Sequence, residues 1–405
     1  MRKLSNHLFF ALIIVFFSFV FIFNFSPHGD QQFSYLANSF LSGKLYFTQE
    51  PQSWGDTSLF LGKYYWPLGP FPAILLMPLV YLFNFFGSFF YQGYLQFFLV
   101  LAVFILVYKI SLKTGYSKQD SRLLAFAFCF ASVFMGVAFQ SWSWYFSQVI
   151  ATFLLFLAMF EYLTRRRPAV IGIIIGLVLA TRITASLALV FFVLSEVFSH
   201  NKISSKIRNV FKLVTPGAFF LILLFIYNYQ RFGNIFEQGY KFQILVEPLV
   251  KAREYGIVSI SHLSGNLYYF FISGPLLVFR DGISHVLKYP FIIANPWGMS
   301  IFVTSPYFVY LFFLKYKDKI SRLLLITIVV ISIPIFLYYG LGFSQFGYRY
   351  SLDFLPFLFY MLIRNYRLVN RKLSFGFKIF ILLSGFFDLY LFLGRFYLRS
   401  LNYGY

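Results

Sequence analysis

The chain has 405 residues, of which 60% are hydrophobic and only 12% are charged. This composition excludes an ordinary soluble domain and predicts long apolar segments that cross a bilayer. The formal net charge of +21 does not require a nucleic-acid partner, because the short cytoplasmic loops of membrane proteins collect Lys and Arg.

Eleven apolar segments are predicted to be transmembrane helices. Their approximate bounds are 7–25, 91–110, 122–140, 146–163, 168–181, 183–199, 211–229, 300–315, 320–340, 351–366 and 375–394. The first follows Arg2 and Lys3 and is not followed by a small-residue cleavage site, so we expect an uncleaved helix with a cytoplasmic N-terminus. The predicted fold is an all-α polytopic membrane protein that forms one domain over residues 1–405.

The segment 70–87 is apolar, but its prolines favour a helix that lies on the membrane surface rather than crossing it. If the segment 70–87 lies on the membrane surface, 22 of the 34 basic residues fall on the cytoplasmic side, as the positive-inside rule requires. Two long segments, 26–90 and 230–299, then lie outside, and so does the C-terminal Tyr405. Apolar spacing predicts amphipathic juxtamembrane helices at 31–41 and, less regularly, at 259–271.

Asp30 is the strongest candidate for a functional residue, because it follows the first span directly. An acid at the membrane boundary is energetically costly and usually has a function. The alternative is that Asp30 caps a helix that starts at Gln31, since Asp is a preferred N-cap residue. Asp56 lies in a turn of the same loop, and His28 is a candidate ligand or proton carrier.

Three cationic side chains are candidates for binding a phosphate. Lys63 opens a stretch of aromatic and turn residues, for which the alternative is an interfacial aromatic belt with a snorkelling lysine. Arg182 lies between two short spans, where snorkelling is again the alternative. Arg349 is four residues before Asp353, so an ion pair within one helix is the alternative to a guanidinium that binds phosphate. The candidate substrate contacts are His28, Gln31, Tyr35, Asp56, Tyr64, Tyr65, Trp66 and Tyr240.

The sequence contains no P-loop, GxSxG or HExxH pattern, so nucleotide use and serine-hydrolase chemistry have no support. The lone cysteine, Cys129, excludes an internal disulfide.

Several stretches resemble the GT-C superfamily of membrane glycosyltransferases, in particular the family-39-like bacterial members related to protein O-mannosyltransferases and the lipid A aminoarabinose transferase. The first-loop pattern is carried by Asp30, Tyr35, Ala37 and the segment 43–46, and an aromatic-Pro-Gly pattern by 63–70. Similar recurring stretches are Ala180-Thr181-Arg182, 231–240 and 347–356.

This resemblance implies transfer of a sugar from a polyprenyl-phosphate donor to an acceptor outside a bacterial cytoplasmic membrane. It implies that Asp30 acts as a base or orients the acceptor. Several members carry two adjacent acids here, whereas Asp30 is followed by Gln31, and a divalent cation prefers several oxygen ligands. A metal requirement and the nature of the acceptor therefore stay open. The other classes that fit are a transporter or flippase for a lipid-linked saccharide and a non-catalytic scaffold.

Overall fold

The structure is a computed structural model that describes residues 2–26, 29–51 and 53–400, with the side chains of residue 7 and of 9–395 within those ranges. His28 and Tyr405, both named above, lie outside the described residues. The chain divides into two compact units, each of which is described by itself. The first comprises Met1–Leu106 and Ala138–Val250, and the second comprises Val107–Val137 and Lys251–Tyr405.

Helices dominate both units. In chain order they are α1 (Arg2–Phe25), α2 (Gln32–Leu41), α3 (Phe71–Phe85), α4 (Gln92–Lys113), α5 (Lys118–Phe130), α6 (Phe134–Phe139), α7 (Ser143–Leu163), α8 (Pro168–Leu179), α9 (Ile183–Ser186), α10 (Leu189–Val197), α11 (Ile203–Phe232), α12 (Glu247–Glu254), α13 (Leu263–Phe271), α14 (Ile301–Thr304), α15 (Lys319–Phe336), α16 (Leu355–Val369) and α17 (Phe375–Ser400). Short 3-10 helices are Tyr240–Phe242, Ile260–His262, Pro306–Phe313 and Arg349–Asp353. The expected juxtamembrane helices are confirmed as helical, since α2 covers the first and Ile260–His262 with α13 covers the second.

Two antiparallel hairpins make the expectation of an all-α fold incomplete. Strands β1 (Ser58–Phe60) and β2 (Lys63–Tyr65) pair with Leu59 opposite Tyr64, and they lie in the first unit. Strands β3 (Leu276–Phe279) and β4 (Leu287–Ile293) pair in the second unit with an irregular register. All four strands lie in the two long segments predicted to face outward, where composition alone did not distinguish strand from loop.

Five helices of the described chain are long and apolar enough to cross a membrane, namely α4, α7, α11, α15 and α17. The shorter apolar helices are Phe9–Phe25, Phe71–Phe85, Pro168–Leu179 and Ile183–Val197. The predicted number of eleven spans is therefore not confirmed, although the structure is that of a membrane protein.

Two predicted spans are interrupted for local reasons. The segment 122–140 breaks after α5, where the hydroxyl of Ser132 donates to the carbonyl of Phe128 at 2.6 Å and accepts from the amide of Phe134 at 3.1 Å. Such side-chain bonds offer the backbone an alternative to a continuous helix. The segment 300–315 changes at Pro306 from α14 to a 3-10 helix, because a proline cannot donate the next helical hydrogen bond.

The first unit packs helices around α8, which contacts both α7 and α11. The short helix α2 packs along α3, and Asn84 donates to the side chain of Asn38 at 2.7 Å. Helix α3 is only 15 residues long and contains Pro78. In the second unit α17 packs against α5, β4 and the 3-10 helix Pro306–Phe313, while α15 packs on α16.

Candidate functional site

Asp30 lies in the short connection between α1 and α2, and its position is set by the glycine before it. Gly29 has a φ of +84°, and a Cβ built there would lie 2.1 Å from Nε1 of Trp142. Only glycine combines this backbone conformation with so close a neighbour. The indole of Trp142 therefore packs directly on the backbone that precedes Asp30.

A buried polar network holds the backbone of Asp30. The side-chain amide of Gln92 donates to the carbonyl of Asp30 at 3.0 Å, and the hydroxyl of Ser143 donates to the same oxygen at 3.2 Å. The Oε1 atom of Gln31 accepts from the backbone amide of Gln92 at 3.0 Å. These three side chains are almost completely buried, so their bonds are shielded from water and fix the connection to α4 and α7.

The network continues one turn deeper. Gln96 donates to the side-chain oxygen of Asn24 at 2.9 Å and to the carbonyl of Gln140 at 3.0 Å. Asn24 in turn donates to the carbonyl of Ala138 at 2.8 Å. The end of α1 is thereby tied to α4 and to the segment before α7.

The carboxyl group of Asp30 is half-buried, and burial raises its pKa. The neighbouring Gln32 side chain opposes this effect, although its amide atoms do not reach hydrogen-bond geometry with any described group. The alternative role as a helix cap is wrong, because α2 begins at Gln32 with Gln31 as its N-cap residue and no side-chain cap. The carboxyl group is thus not engaged in capping the helix.

Some of the buried polar atoms that lack a hydrogen-bond partner among the described residues belong to α2 and to the Trp66 turn. They include both amide atoms of Gln32, the hydroxyl of Ser34 and Nε1 of Trp66, and each of these residues is at most 1% exposed. Buried polar groups are nearly always satisfied, so each such group calls for a water or a ligand.

The aromatic turn at 63–70 packs on a second sequence motif. The amide of Phe71 donates to the carbonyl of Ala180 at 3.0 Å, and a Cβ at Gly69 would lie 2.2 Å from that same carbonyl oxygen. Glycine at position 69 is therefore required for the approach of the two segments. The structure thus brings the turn beside Ala180, two residues before Arg182.

Trp66 connects the turn with three further elements. Its ring lies 5.8 Å from that of Phe33 in α2 and 5.3 Å from that of Trp144 in α7. Its carbonyl accepts from the guanidinium of Arg231 at 2.8 Å. Trp66 was expected to contact a substrate, and its complete burial makes it a packing centre between α2, α7 and α11.

Arg231 was noted only as part of a polar stretch, and its burial was not foreseen. It is 4% exposed, donates to the side chain of Asn228 at 2.8 Å and lies over the ring of Tyr227 at 3.9 Å. A guanidinium combines planar stacking with several donors, which suits such a buried position. Arg231 thereby links the C-terminal end of α11 to the Trp66 turn.

Asp56 joins the first of the two long segments, 26–90, to the second, 230–299. Its carboxylate accepts from Nε1 of Trp144 at 3.1 Å, and Gln243 donates to its backbone carbonyl at 3.2 Å. The backbone amide of Asp56 donates to the carbonyl of Ile244 at 2.9 Å. In this structure Asp56 therefore organises two loops and α7, and its role in substrate binding stays a prediction.

The remaining predicted site residues of the first unit differ in their exposure and in what they contact. Lys63 is exposed, with its ammonium 4.6 Å from the ring centre of Tyr46, and Tyr64 stacks on Trp54 at 3.9 Å. Tyr65 is buried against Phe232, with ring centres 5.2 Å apart. Tyr35 and Tyr240 are half-buried, whereas Arg182 is only 8% exposed, which disfavours interfacial snorkelling.

Arg349 belongs to the second unit, at the start of the 3-10 helix Arg349–Asp353. It is 6% exposed, and its guanidinium lies 4.6 Å from the ring centre of Tyr350. Its backbone amide donates to the side chain of Gln345 at 3.2 Å. A binding role for its guanidinium stays a prediction.

Sequence reasoning missed Gln92, Ser143 and the acid Asp388. Isolated Gln and Ser residues in apolar helices carry no periodic signal, and their partners are distant in sequence. Asp388 is fully buried in α17, and neither carboxyl oxygen has a hydrogen-bond partner within the described ranges. An acid inside an apolar span was itself the available signal.

The described residues contain no group of three or more His, Cys, Asp or Glu side chains placed to hold a metal ion. Next to Asp30, the side-chain oxygen of Gln31 is already occupied by the amide of Gln92. Among the described residues, a site with several oxygen ligands of the kind that a divalent cation prefers is therefore not formed around Asp30.

No family model and no curated protein matches this sequence. Among solved structures, the chain is similar to the Archaeoglobus fulgidus oligosaccharyltransferase in its apo form, with a TM-score of 0.45 and 14% identity over 95% of this chain and 55% of that chain. Oligosaccharyltransferase AglB from the same organism, in complex with an inhibitory peptide and a dolichol-phosphate, gives a TM-score of 0.43 at 14% identity over 96% and 56%. The form tethered to an acceptor peptide by a disulfide bond gives 0.41 at 13% over 97% and 55%. The chain thus spans little more than half the length of the structures it matches.

Proposed function

We propose that this protein is a membrane glycosyltransferase of the GT-C type, which moves a sugar from a polyprenyl-phosphate donor to an acceptor on the outer face of the membrane. The observation that carries the proposal is the environment of Asp30. Its backbone is fixed by Gln92 and Ser143, its carboxyl is half-buried, and the neighbouring Gln32 amide lacks a partner among the described residues. The motif resemblance of the first loop supports the same assignment.

The chemistry assigned to Asp30 is general-base catalysis. Its carboxylate accepts the proton of the acceptor hydroxyl while the acceptor oxygen forms a bond to the anomeric carbon of the sugar. The bond between that carbon and the lipid-phosphate oxygen breaks, and the lipid phosphate leaves with the electron pair. A raised pKa suits this role, because a stronger base gains more from accepting the proton.

The leaving phosphate requires positive charge, which stabilises the developing anion. In the first unit Lys63 and Arg182 are assigned this role, and Arg349 is assigned it in the second unit. Arg182 and Arg349 are buried, and a desolvated guanidinium interacts more strongly with an anion than an exposed one. Tyr64 and Tyr240 are proposed to line the path of the sugar or the prenyl chain, whereas the buried Tyr65 and Trp66 are assigned a packing role.

The proposed location is a bacterial cytoplasmic membrane, with the N-terminus inside. Membrane lipids and the lipid-linked donor are the proposed partners, and the acceptor is a hydroxyl-bearing lipid, glycan or protein. The proposed roles of Asp30 and the three cationic side chains do not depend on a metal ion.

The test uses the purified protein in lipid nanodiscs with radiolabelled polyprenyl-phosphate sugars and an acceptor extract from the producing cells. The expected result is transfer of label to the acceptor by the wild type and its loss in Asp30→Asn. Label that crosses the membrane of a proteoliposome without leaving its lipid would support a flippase instead. If neither transfer of the label nor its crossing of the membrane is detected, the remaining class is a non-catalytic scaffold.

A further inference from the structure

The hairpin β3–β4 of the second unit exposes apolar side chains on both of its faces. Adjacent residues of a strand point to opposite faces, and the neighbours Leu276 and Leu277 are 38% and 55% exposed. Further exposed apolar side chains are Ile283, Val286, Tyr289 and Phe291. A two-stranded hairpin is too small to bury such side chains by itself, so they are available to a surface outside the hairpin.

The middle of β4 lies against the C-terminal part of α17, which is long and apolar enough to cross a membrane. The hydroxyl of Tyr390 in α17 donates to the carbonyl of Pro290 in β4, and a Cβ at Gly394 would lie 3.3 Å from the Pro290 ring. The apolar stretch of α17, Phe375–Arg395, has 21 residues, which corresponds to about 32 Å of helix and matches the thickness of the hydrocarbon core. Tyr390 and Gly394 belong to its last quarter, which places Pro290, in the middle of β4, near one end of the apolar stretch.

The tip of the hairpin is a rigid turn with an apolar apex. One carboxylate oxygen of Asp281 accepts from the amides of Ile283 at 2.8 Å and Ser284 at 2.6 Å, and the other accepts from the Ser284 hydroxyl at 2.6 Å. These bonds lower the pKa of Asp281, so the turn holds its negative charge at neutral pH. The hydrogen bonds of Asp281 hold the turn with the side chain of Ile283 91% exposed. The exposed Arg280 directly precedes Asp281 in the chain.

We propose that the β3–β4 hairpin docks on the lipid surface of the bilayer, with Ile283 inserted at the boundary of headgroups and acyl chains and Arg280 at a lipid phosphate. Apolar side chains on a polar, partly cationic element are typical of interfacial binding. The proposal concerns the second unit alone and is independent of the glycosyltransferase assignment.

The test places an environment-sensitive fluorophore on Ile283→Cys in the full chain, with Cys129→Ala to remove the native thiol. The protein is reconstituted into phosphatidylcholine vesicles with and without phosphatidylglycerol. The expected result is blue-shifted emission that is quenched by lipids with a nitroxide near the headgroup and protected from iodide in water. A label at Leu383, an exposed position in the middle of α17, serves as the membrane-embedded control.

Two matched variants of Asp281 test the rigid turn. Asp281→Asn keeps an oxygen that can accept the turn bonds and should retain the lipid quenching, whereas Asp281→Ala removes them and should reduce it. Arg280→Gln should reduce the additional blue shift that phosphatidylglycerol causes. Emission that is quenched by iodide and insensitive to the lipid nitroxides, in either type of vesicle, would overturn the proposal and assign this surface to water or a protein partner.

Discussion

The side-chain amide of Gln92 donates a hydrogen bond of 3.0 Å to the backbone carbonyl of Asp30, although 62 positions of sequence separate the two residues. This bond fixes the proposed base through its main chain and leaves its carboxyl group available. Because Gln92 starts α4 and Asp30 follows α1, the bond also fixes the connection between two apolar helices at their predicted outer ends. The first two of the following predictions concern the network to which this bond belongs.

Replacing Gln92 by methionine should displace Asp30 without removing it. The lost amide leaves the buried carbonyls of Asp30 and Ser141 with fewer donors, which should cost about 1–3 kcal/mol of stability. Released from its fixed position, Asp30 should be less buried, and the acid limb of the pH profile of kcat/KM should move to lower pH. The matched control is Gln96→Met, which removes an equally buried side-chain amide that does not contact Asp30. This variant should lose stability without a shift in the pH profile of kcat/KM.

Asp30→Asn should lose about 10²–10⁴ in turnover, the range typical of general-base catalysis. Burial raises the pKa of Asp30, so ionising this carboxyl weakens the folded state as pH rises through its folded pKa. At neutral pH the Asn variant avoids this cost and should unfold at a temperature no lower than the wild type, which thermal unfolding in nanodiscs measures. Because Asp30 caps no helix, Asp30→Ala should likewise lose turnover and unfold at a temperature no lower than the wild type. Wild-type turnover in Asp30→Asn would remove the catalytic assignment.

Arg349 should contribute to donor binding through its guanidinium. Arg349→Lys keeps the charge but loses the planar pair of donors, so the affinity for a polyprenyl-phosphate sugar should fall by about 1–3 kcal/mol. Equilibrium binding of labelled donor measures this change without requiring turnover. Normal binding by both Arg349→Lys and Arg349→Ala would reduce this residue to a structural contact of Tyr350.

The predicted sidedness can be measured with single cysteines on a Cys129→Ala background. Ser88→Cys should react with a membrane-impermeant maleimide added to intact cells, and Gln119→Cys should react only after permeabilisation. Gln119 is preferable to Ser117, since the Ser117 hydroxyl caps α5 by accepting from the amide of Asp120 at 3.1 Å. Reaction of Gln119→Cys in intact cells would invert the proposed topology from α4 onward.

Asp318 should stabilise the start of α15. Its carboxylate accepts from the amide of Ser321 at 3.2 Å and pairs with Arg364 at 2.9 Å. Asp318→Ala should cost about 1 kcal/mol through loss of the cap, with a smaller part from the partly exposed ion pair. Asp318→Asn retains the cap and should lie close to the wild type, and thermal unfolding distinguishes the two. Equal unfolding temperatures for the Ala and Asn variants would contradict a capping role.

The sequence by itself determined the apolar helices and the short helix directly after Asp30, because these follow from local hydropathy and periodicity. It placed Asp30, Trp66 and Arg231 within notable stretches without showing what each contacts. Only the tertiary structure decided that Gln92 and Ser143 hold Asp30, and that Arg231 bonds to the carbonyl of Trp66 across 165 positions. Hydrogen bonds between residues so far apart leave no periodic trace in the chain, since they depend on how helices pack. The same reason explains why Asp30 is not a helix cap: the start of α2 at Gln32 is set by a connection that Gln92, Ser143 and Trp142 hold from other parts of the fold.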